Sequence, residues 1–280
     1  MHPGGYNSKN FYPVYIMKKA YCIVLMYLVI AALFCIAAVA QDVSDLLAVG
    51  DEAWDGRGAY GDPNNKKALD AYVAAAEEDV YHFESHWKAA RSCWWMSDQM
   101  LAVSNDPADH AELSLLGMEL AERARLMAPD AMEGHLYYAL CASHYVYGVG
   151  TLEAMRDGVF EEAISELLWC YGKDPAYEGG LVPLGLSAYY RLAPWPERSQ
   201  EKALTYAEEA RTLNADSLRA AVYLAACYQA LGDFDRAVDV LTKAAEVEPD
   251  KTSEPDYRRW RRIIRDALEA GGVEDIDRIR

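Results

Sequence analysis

Apolar residues recur along much of this chain at intervals of three and four, the spacing that gathers them on one face of a helix. Such stretches follow one another from about residue 43 to residue 250, separated by short polar breaks. The clearest pair is Leu218–Asp250, LRAAVYLAACYQALGDFDRAVDVLTKAAEVEPD. Its first helix sets Leu224 beside the small Ala225, with Tyr228 one turn on. Gly232, Asp233 and Phe234 make a turn, the second helix carries Ala237, Leu241 and Ala244, and Pro249 ends the unit. Alanines at fixed positions let two antiparallel helices approach, and the larger residues fill the grooves beside them. Glycine and proline stop each helix where the hairpin must turn.

The second-helix spacing recurs upstream. Ala163, Leu167, Cys170 and Pro175 reproduce it, as do Gly117, Ala121, Ala124 and Pro129. Ala203, Ala207 and Ala210 follow the same spacing with Ala215 in place of the final proline, and Ala68, Tyr72 and Ala75 follow it more loosely. The unit resembles the tetratricopeptide repeat of about 34 residues. The expected fold class is therefore all-α: a tetratricopeptide-like α-solenoid of about five helical hairpins, with Pro255–Ala270 as a C-terminal capping helix. Two places depart from the regular unit. Gly148–Gly158 reads as an inserted loop or helix extension in the third hairpin. Pro194-Trp195-Pro196 interrupts YYRLAPWPERSQEKAL, and reads as the lengthened inter-helix loop of the fourth hairpin rather than a domain boundary.

The N-terminus follows another pattern. Lys18 and Lys19 precede a continuous apolar run from Tyr21, which ends in Ala38-Val39-Ala40 before Gln41. That is the layout of a secretory signal, with Met17 as an alternative start. The domain division is thus an N-terminal extension and signal peptide over residues 1–40 and a repeat domain over residues 41–280. The expected location is periplasmic or otherwise exported; the alternative keeps residues 21–40 as an inner-membrane anchor. Phe34 stands before Cys35 where a lipid attachment site needs a small residue.

The formal net charge of −17 argues against a nucleic-acid partner, which would require cations to replace phosphate counterions. Cys93, Cys141, Cys170 and Cys227 have no CxxC spacing and sit among alanines and aromatics, so they read as buried thiols. GRGAYG at residues 56–61 has the letters of a dinucleotide loop but no strand before it, and reads as the first hairpin's loop, with Asp62-Pro63 opening the next helix. HFESH sets His82 and His86 one turn apart without the further ligands of a metal site. Nucleophile elbows, phosphate loops and zinc-protease motifs are missing from the sequence, so neither a catalytic residue nor a cofactor is expected. The cluster Arg258, Arg259, Arg261, Arg262 and Arg265 reads as pairing with acidic neighbours.

In stacked hairpins, the first helices line the concave surface. Counting from the repeat register, this lining is Lys88, Ser92, Trp95 and Met96, then Glu133, Leu136, Leu140, Ser143 and His144. It continues with Val182, Leu186, Tyr189 and Tyr190, then Arg219, Val222, Ala226 and Gln229. From these come the candidate ligand- or partner-binding residues: Trp95, Met96, Leu136, His144, Tyr189, Tyr190, Arg219 and Gln229, together with Trp195. Trp195 has two readings: a contact held out for a partner, or a lid folded over the groove.

Longer stretches carry a narrower likeness. HWKAARSCWW, APDAMEGHLYYAL, GVFEEAISELLWCYGKDPAYEGG and LGLSAYYRLAPWPERSQEKAL resemble, in that order, the T-component (TatT) family of TRAP transporters, periplasmic tetratricopeptide-like proteins. The likeness covers about residues 50–247. It implies an accessory protein that binds the periplasmic solute-binding receptor of a TRAP transporter. It further implies assembly as a homo-oligomer, a trimer, with a groove for hydrophobic or organic-acid ligands. The alternative from another class is a generic exported scaffold for envelope-assembly or secretion proteins.

Overall fold

The computed structural model describes residues 26, 29, 42–101, 106–248 and 257–272. Helices fill nearly all of the last three stretches: α1 (42–55), α2 (Pro63–Glu78), α3 (Phe83–Met100), α4 (Pro107–Met127) and α5 (Met132–Val149). They continue as α6 (Thr151–Arg156), α7 (Val159–Lys173), α8 (Tyr177–Leu192), α9 (Gln200–Leu213), α10 (Leu218–Ala230), α11 (Phe234–Ala245) and α12 (Tyr257–Ala270). Paired in chain order, α1/α2, α3/α4, α5/α7, α8/α9 and α10/α11 form five hairpins, and α12 follows as the cap. The fold is the tetratricopeptide-like solenoid that the spacing predicts. The N-terminal extension, the signal segment and the alternative anchor over residues 21–40 lie outside the described stretches apart from Met26 and Val29. Among the described residues, no helix is long and apolar enough to cross a membrane.

Local chemistry sets the helix ends. Asp62, Asp106, Ser199, Ser217 and Asp233 each cap a helix by accepting a backbone N–H from its first turn, and Pro63 and Pro107 occupy first-turn positions that need no donor. Gly232 turns the last hairpin at φ +80°, a conformation that costs a side-chain-bearing residue about 1–2 kcal/mol. Helix α8 opens unusually. Glu178, Gly179 and Gly180 are all left-handed, so the right-handed part of the helix begins only at Leu181. This kink aims the Glu178 carboxylate at α5, where it accepts the Tyr137 hydroxyl at 3.3 Å.

The repeated second-helix signature is the core itself. Ala68, Tyr72, Ala75, Ala121, Ala124, Cys170, Ala203, Ala207, Ala210, Ala237 and Ala244 are almost wholly buried, with Ala163, Leu167 and Leu241 close behind. All four described cysteines are buried free thiols, and burial pushes the Cys93 and Cys170 thiols up to about 12. Helix α12 contributes Trp260, Ile264 and Leu268 to the final hairpin's apolar face. The insertion in the third hairpin is helical: α5 runs on to Val149, and the short α6 follows before α7.

Helices α4 and α5 are drawn unusually close. A Cβ added at Gly134 would lie 2.7 Å from the backbone nitrogen of Arg125, and one at Gly148 would lie 2.7 Å from the backbone of Pro107 and of Ala111. Charge holds the same junction. Arg125 of α4 binds Glu122, Glu162 and Glu166 and lies 4.7 Å from the Tyr138 ring centre, while His135 of α5 shares Glu166 and stacks on Trp169 at 3.9 Å. Because the clash at Gly134 is with backbone, the two helices must separate to admit a methyl group. Gly134→Ala is therefore expected to lower the unfolding free energy by about 1–2 kcal/mol, as overpacking outweighs the gain in helix propensity. Urea denaturation of the purified chain measures it.

Candidate functional site

The inner helices α3, α5, α8, α10 and α12 contact one another in succession, as first helices of stacked hairpins do. Side chains of α3, α5, α10 and α12, joined by Trp54 of α1 and Arg57 after it, form a ladder of rings and guanidinium groups. At one end, the guanidinium groups of Arg57 and Arg91 lie 3.9 and 3.8 Å from the Trp54 ring centre. Burial, then repulsion from Arg91, brings the Arg57 guanidinium down to about 10. Arg91 also lies 4.9 Å from Trp87, which stacks on Tyr137, and Tyr137 leans on Trp94. At the other end, Arg219 lies 5.4 Å from Trp94 and 5.1 Å from Trp260. Arg259 lies 4.7 Å from the same Trp260.

A buried ion triad sits where this ladder ends. Asp98 of α3 accepts from Arg219 of α10 at 3.2 Å and from Arg259 of α12 at 2.7 Å. All three side chains are at most 10% exposed. Burial alone would raise the Asp98 carboxyl, but the two guanidinium groups outweigh it and hold it below the usual carboxylate range. His144 of α5 adjoins the triad. Burial lowers it to about 4 against the pull of Asp98, and His110, Arg219 and Arg259 push it the same way, so it is neutral at physiological pH.

The second feature lies at the tip of the fourth hairpin. Pro194-Trp195-Pro196 is the loop between α8 and α9, tied at its base by Ser199 N–H to Tyr190 C=O at 3.0 Å and by Arg198 Nε–H to Ala193 C=O at 2.8 Å. The loop holds Trp195 88% exposed. With Tyr189 and Tyr190 of α8, Phe160 and Ile164 of α7 and Met155 of α6, it walls a cavity of about 540 Å³. Glu161, Glu197, Ser199 and Lys202 complete the lining. Phe160, Tyr189 and Tyr190 brace one another at centroid distances of 4.9 and 5.3 Å, and Tyr190 stacks on Tyr206 behind them.

The residues expected to line the concave surface divide. Tyr189, Tyr190 and Trp195 come together at the loop cavity, and Trp195 is held out from the array rather than closed over a groove. Leu136 is wholly buried, and Trp95 of α3 packs on Trp54 of α1 with its Nε1–H on Asn65 of α2 at 3.2 Å, so neither faces an open groove. His144 and Arg219 are buried at the ion triad, Met96 is half-buried against the core, and Gln229 is exposed at the end of α10. The correction on α3 is a slip of one residue. The inner stripe is Trp87, Arg91, Trp94 and Asp98, not Lys88, Ser92 and Trp95, and Lys88 instead pairs with Asp51 and Glu84. Trp87, Arg91 and Asp98 repeat with helical spacing in the sequence, but only their partners on α1, α10 and α12 reveal which face they occupy. His82 caps α3 and His86 is buried, and no group of three or more metal-binding side chains occurs among the described residues.

Two measurements probe the triad. Asp98→Asn leaves two buried guanidinium groups short of their counter-charge and is expected to cost about 3–5 kcal/mol of stability. The neutral state of His144 makes stability depend on pH. Its unfolded value of 6.5 exceeds its folded value of about 4, so between them the unfolded chain binds the extra proton. The stabilisation is present above pH 6.5 and is lost as pH falls toward 4. Urea unfolding should therefore show that His144→Gln removes about 2 kcal/mol of the wild-type loss between pH 7 and pH 5.

Comparison with known proteins agrees with this architecture. The crystal structure of TTC0263, a thermophilic TPR protein of Thermus thermophilus, is similar at 19% identity with a TM-score of 0.59, over 81% of this chain and 99% of that one. The crystal structure of MamA protein aligns at 15% identity and a TM-score of 0.45, over 76% of this chain and 94% of that one. Among curated proteins, none matches the sequence. Residues 188–267, from the end of α8 through most of α12, are similar to the family described as regulator of microtubule dynamics protein 1-3. The likeness to TTC0263 establishes the fold: this chain is a tetratricopeptide-like helical repeat protein.

Proposed function

We propose that this chain is a non-catalytic accessory protein of a TRAP-type solute uptake system, exported by its N-terminal segment and bound to the system's periplasmic solute receptor. The observation that carries a binding role is Trp195. A tryptophan 88% exposed, flanked by two prolines on a loop tied at its base, loses little freedom on docking and gains a large apolar contact. The ordered sequence likeness to the T-component family supports the identity of the partner, and implies that copies assemble as a trimer. A small ligand, if carried, would use the cavity beside Trp195, because the ion triad and aromatic ladder occupy the inner face.

The second reading, an exported scaffold for envelope-assembly or secretion proteins, rests on the fold alone. Capture of tagged chain from its native envelope separates the two. Stoichiometric recovery of a solute receptor is expected, and recovery of assembly or secretion components in its place assigns the scaffold role. Trp195→Ala is expected to weaken binding to the recovered receptor by tenfold or more, the scale of an aromatic hot spot, with thermal stability unchanged.

A further inference from the structure

We propose that the cavity beside Trp195 is a site for a small organic cation, an alkylated ammonium, and not for an acid. This goes beyond the accessory role and does not depend on which partner the loop meets. The argument begins with the walls. Phe160, Tyr189, Tyr190 and Trp195 are contributed by α7, α8 and the loop, and an aromatic ring presents the negative side of its quadrupole through its face. Trp195, exposed on its loop, has ring surface free to pack against a guest. Such walls favour a cation whose charge is spread over alkyl groups, since it is weakly hydrated and its carbons pack on the rings.

The charged groups lining the cavity sum to a negative charge. Glu161 comes from α7 and Glu197 from the loop, against the single cation Lys202 from α9. Both carboxylates act on Tyr189, whose hydroxyl is raised to about 12 by burial, then by Glu197, Tyr190 and Glu161. The one cation present already uses the site's chemistry: Lys202 Nζ lies 4.7 Å from the Tyr190 ring centre. Lys202 is exposed at the start of α9 and its flexible stem can swing clear, so a guest competes with it for the Tyr190 face. A cavity of about 540 Å³ holds a small molecule of this kind with room for an apolar body along Met155 and Ile164.

A matched set of probes tests the charge. Choline, its uncharged isostere 3,3-dimethylbutan-1-ol and the anion 3,3-dimethylbutanoate have similar shape, and each is titrated into the full chain with NMR detection of binding. Choline is expected to bind at least tenfold more tightly than the alcohol, with the anion weakest. The double variant Glu161→Gln/Glu197→Gln, which alters two exposed side chains and leaves the fold in place, should weaken choline at least fivefold. Lys202→Ala should strengthen it, because the Tyr190 face is vacated. Equal binding of choline and the alcohol would overturn the proposal in favour of an apolar pocket. Tightest binding of the anion, lost in Lys202→Ala, would overturn it in favour of an acid site. Absence of choline binding to the wild-type chain would overturn it outright. None of these outcomes bears on receptor capture, so the two proposals fail separately.

Discussion

A carboxylate buried without counter-charge is prohibitively unstable in a protein interior, and Asp98 is almost completely buried. Its two arginines come from α10 and α12, more than a hundred residues along the chain, so the array must curve until those helices meet α3. Everything on the inner face follows from that requirement. Arg219 and Arg259 bring their flat guanidinium groups against Trp94 and Trp260, and the stack of Trp94, Tyr137 and Trp87 continues the contact toward α1. The alanines of the second helices let the outer layer close down around this inner one.

The same constraint explains where binding surface is left. A curved array normally offers its concave side to partners, but here that side is filled with side chains from its own first helices and cap. The cavity lies instead at a hairpin tip, where α6 and the long α8–α9 loop depart from the regular unit and the loop raises Trp195 clear of the array. Departure from the repeat and location of the site coincide because the regular repeat is a packing solution, and a packed residue is spent on the core.

The sequence made the outer layer legible, since its signature is a matter of residue size at fixed intervals. Ala121, Ala207 and Ala244 are small because a neighbouring helix leaves no room, and that pressure appears in every hairpin. The Pro-Trp-Pro loop was equally legible as an interruption, and Tyr189 and Tyr190 were placed beside it by adjacency. The inner face was not. Trp94 and Trp95 are neighbours of identical chemistry, and choosing which one faces inward requires knowing that Arg219 arrives on that side. Asp98 carried no local mark either: an aspartate near a helix end usually meets water, and its two partners are distant in sequence. The Arg258–Arg265 cluster hinted at acidic partners without saying that one of them lay on α3.

An array built only from nearest-neighbour contacts can gain or lose a unit without disturbing the units beyond it. The span from Asp98 to Arg259 removes that freedom. Inserting or deleting one hairpin between α3 and α12 would carry Arg259 away from Asp98 by a whole unit's rotation and rise, breaking the buried pair between them. The number of hairpins between α3 and α12 is thereby tied to a single buried ion pair.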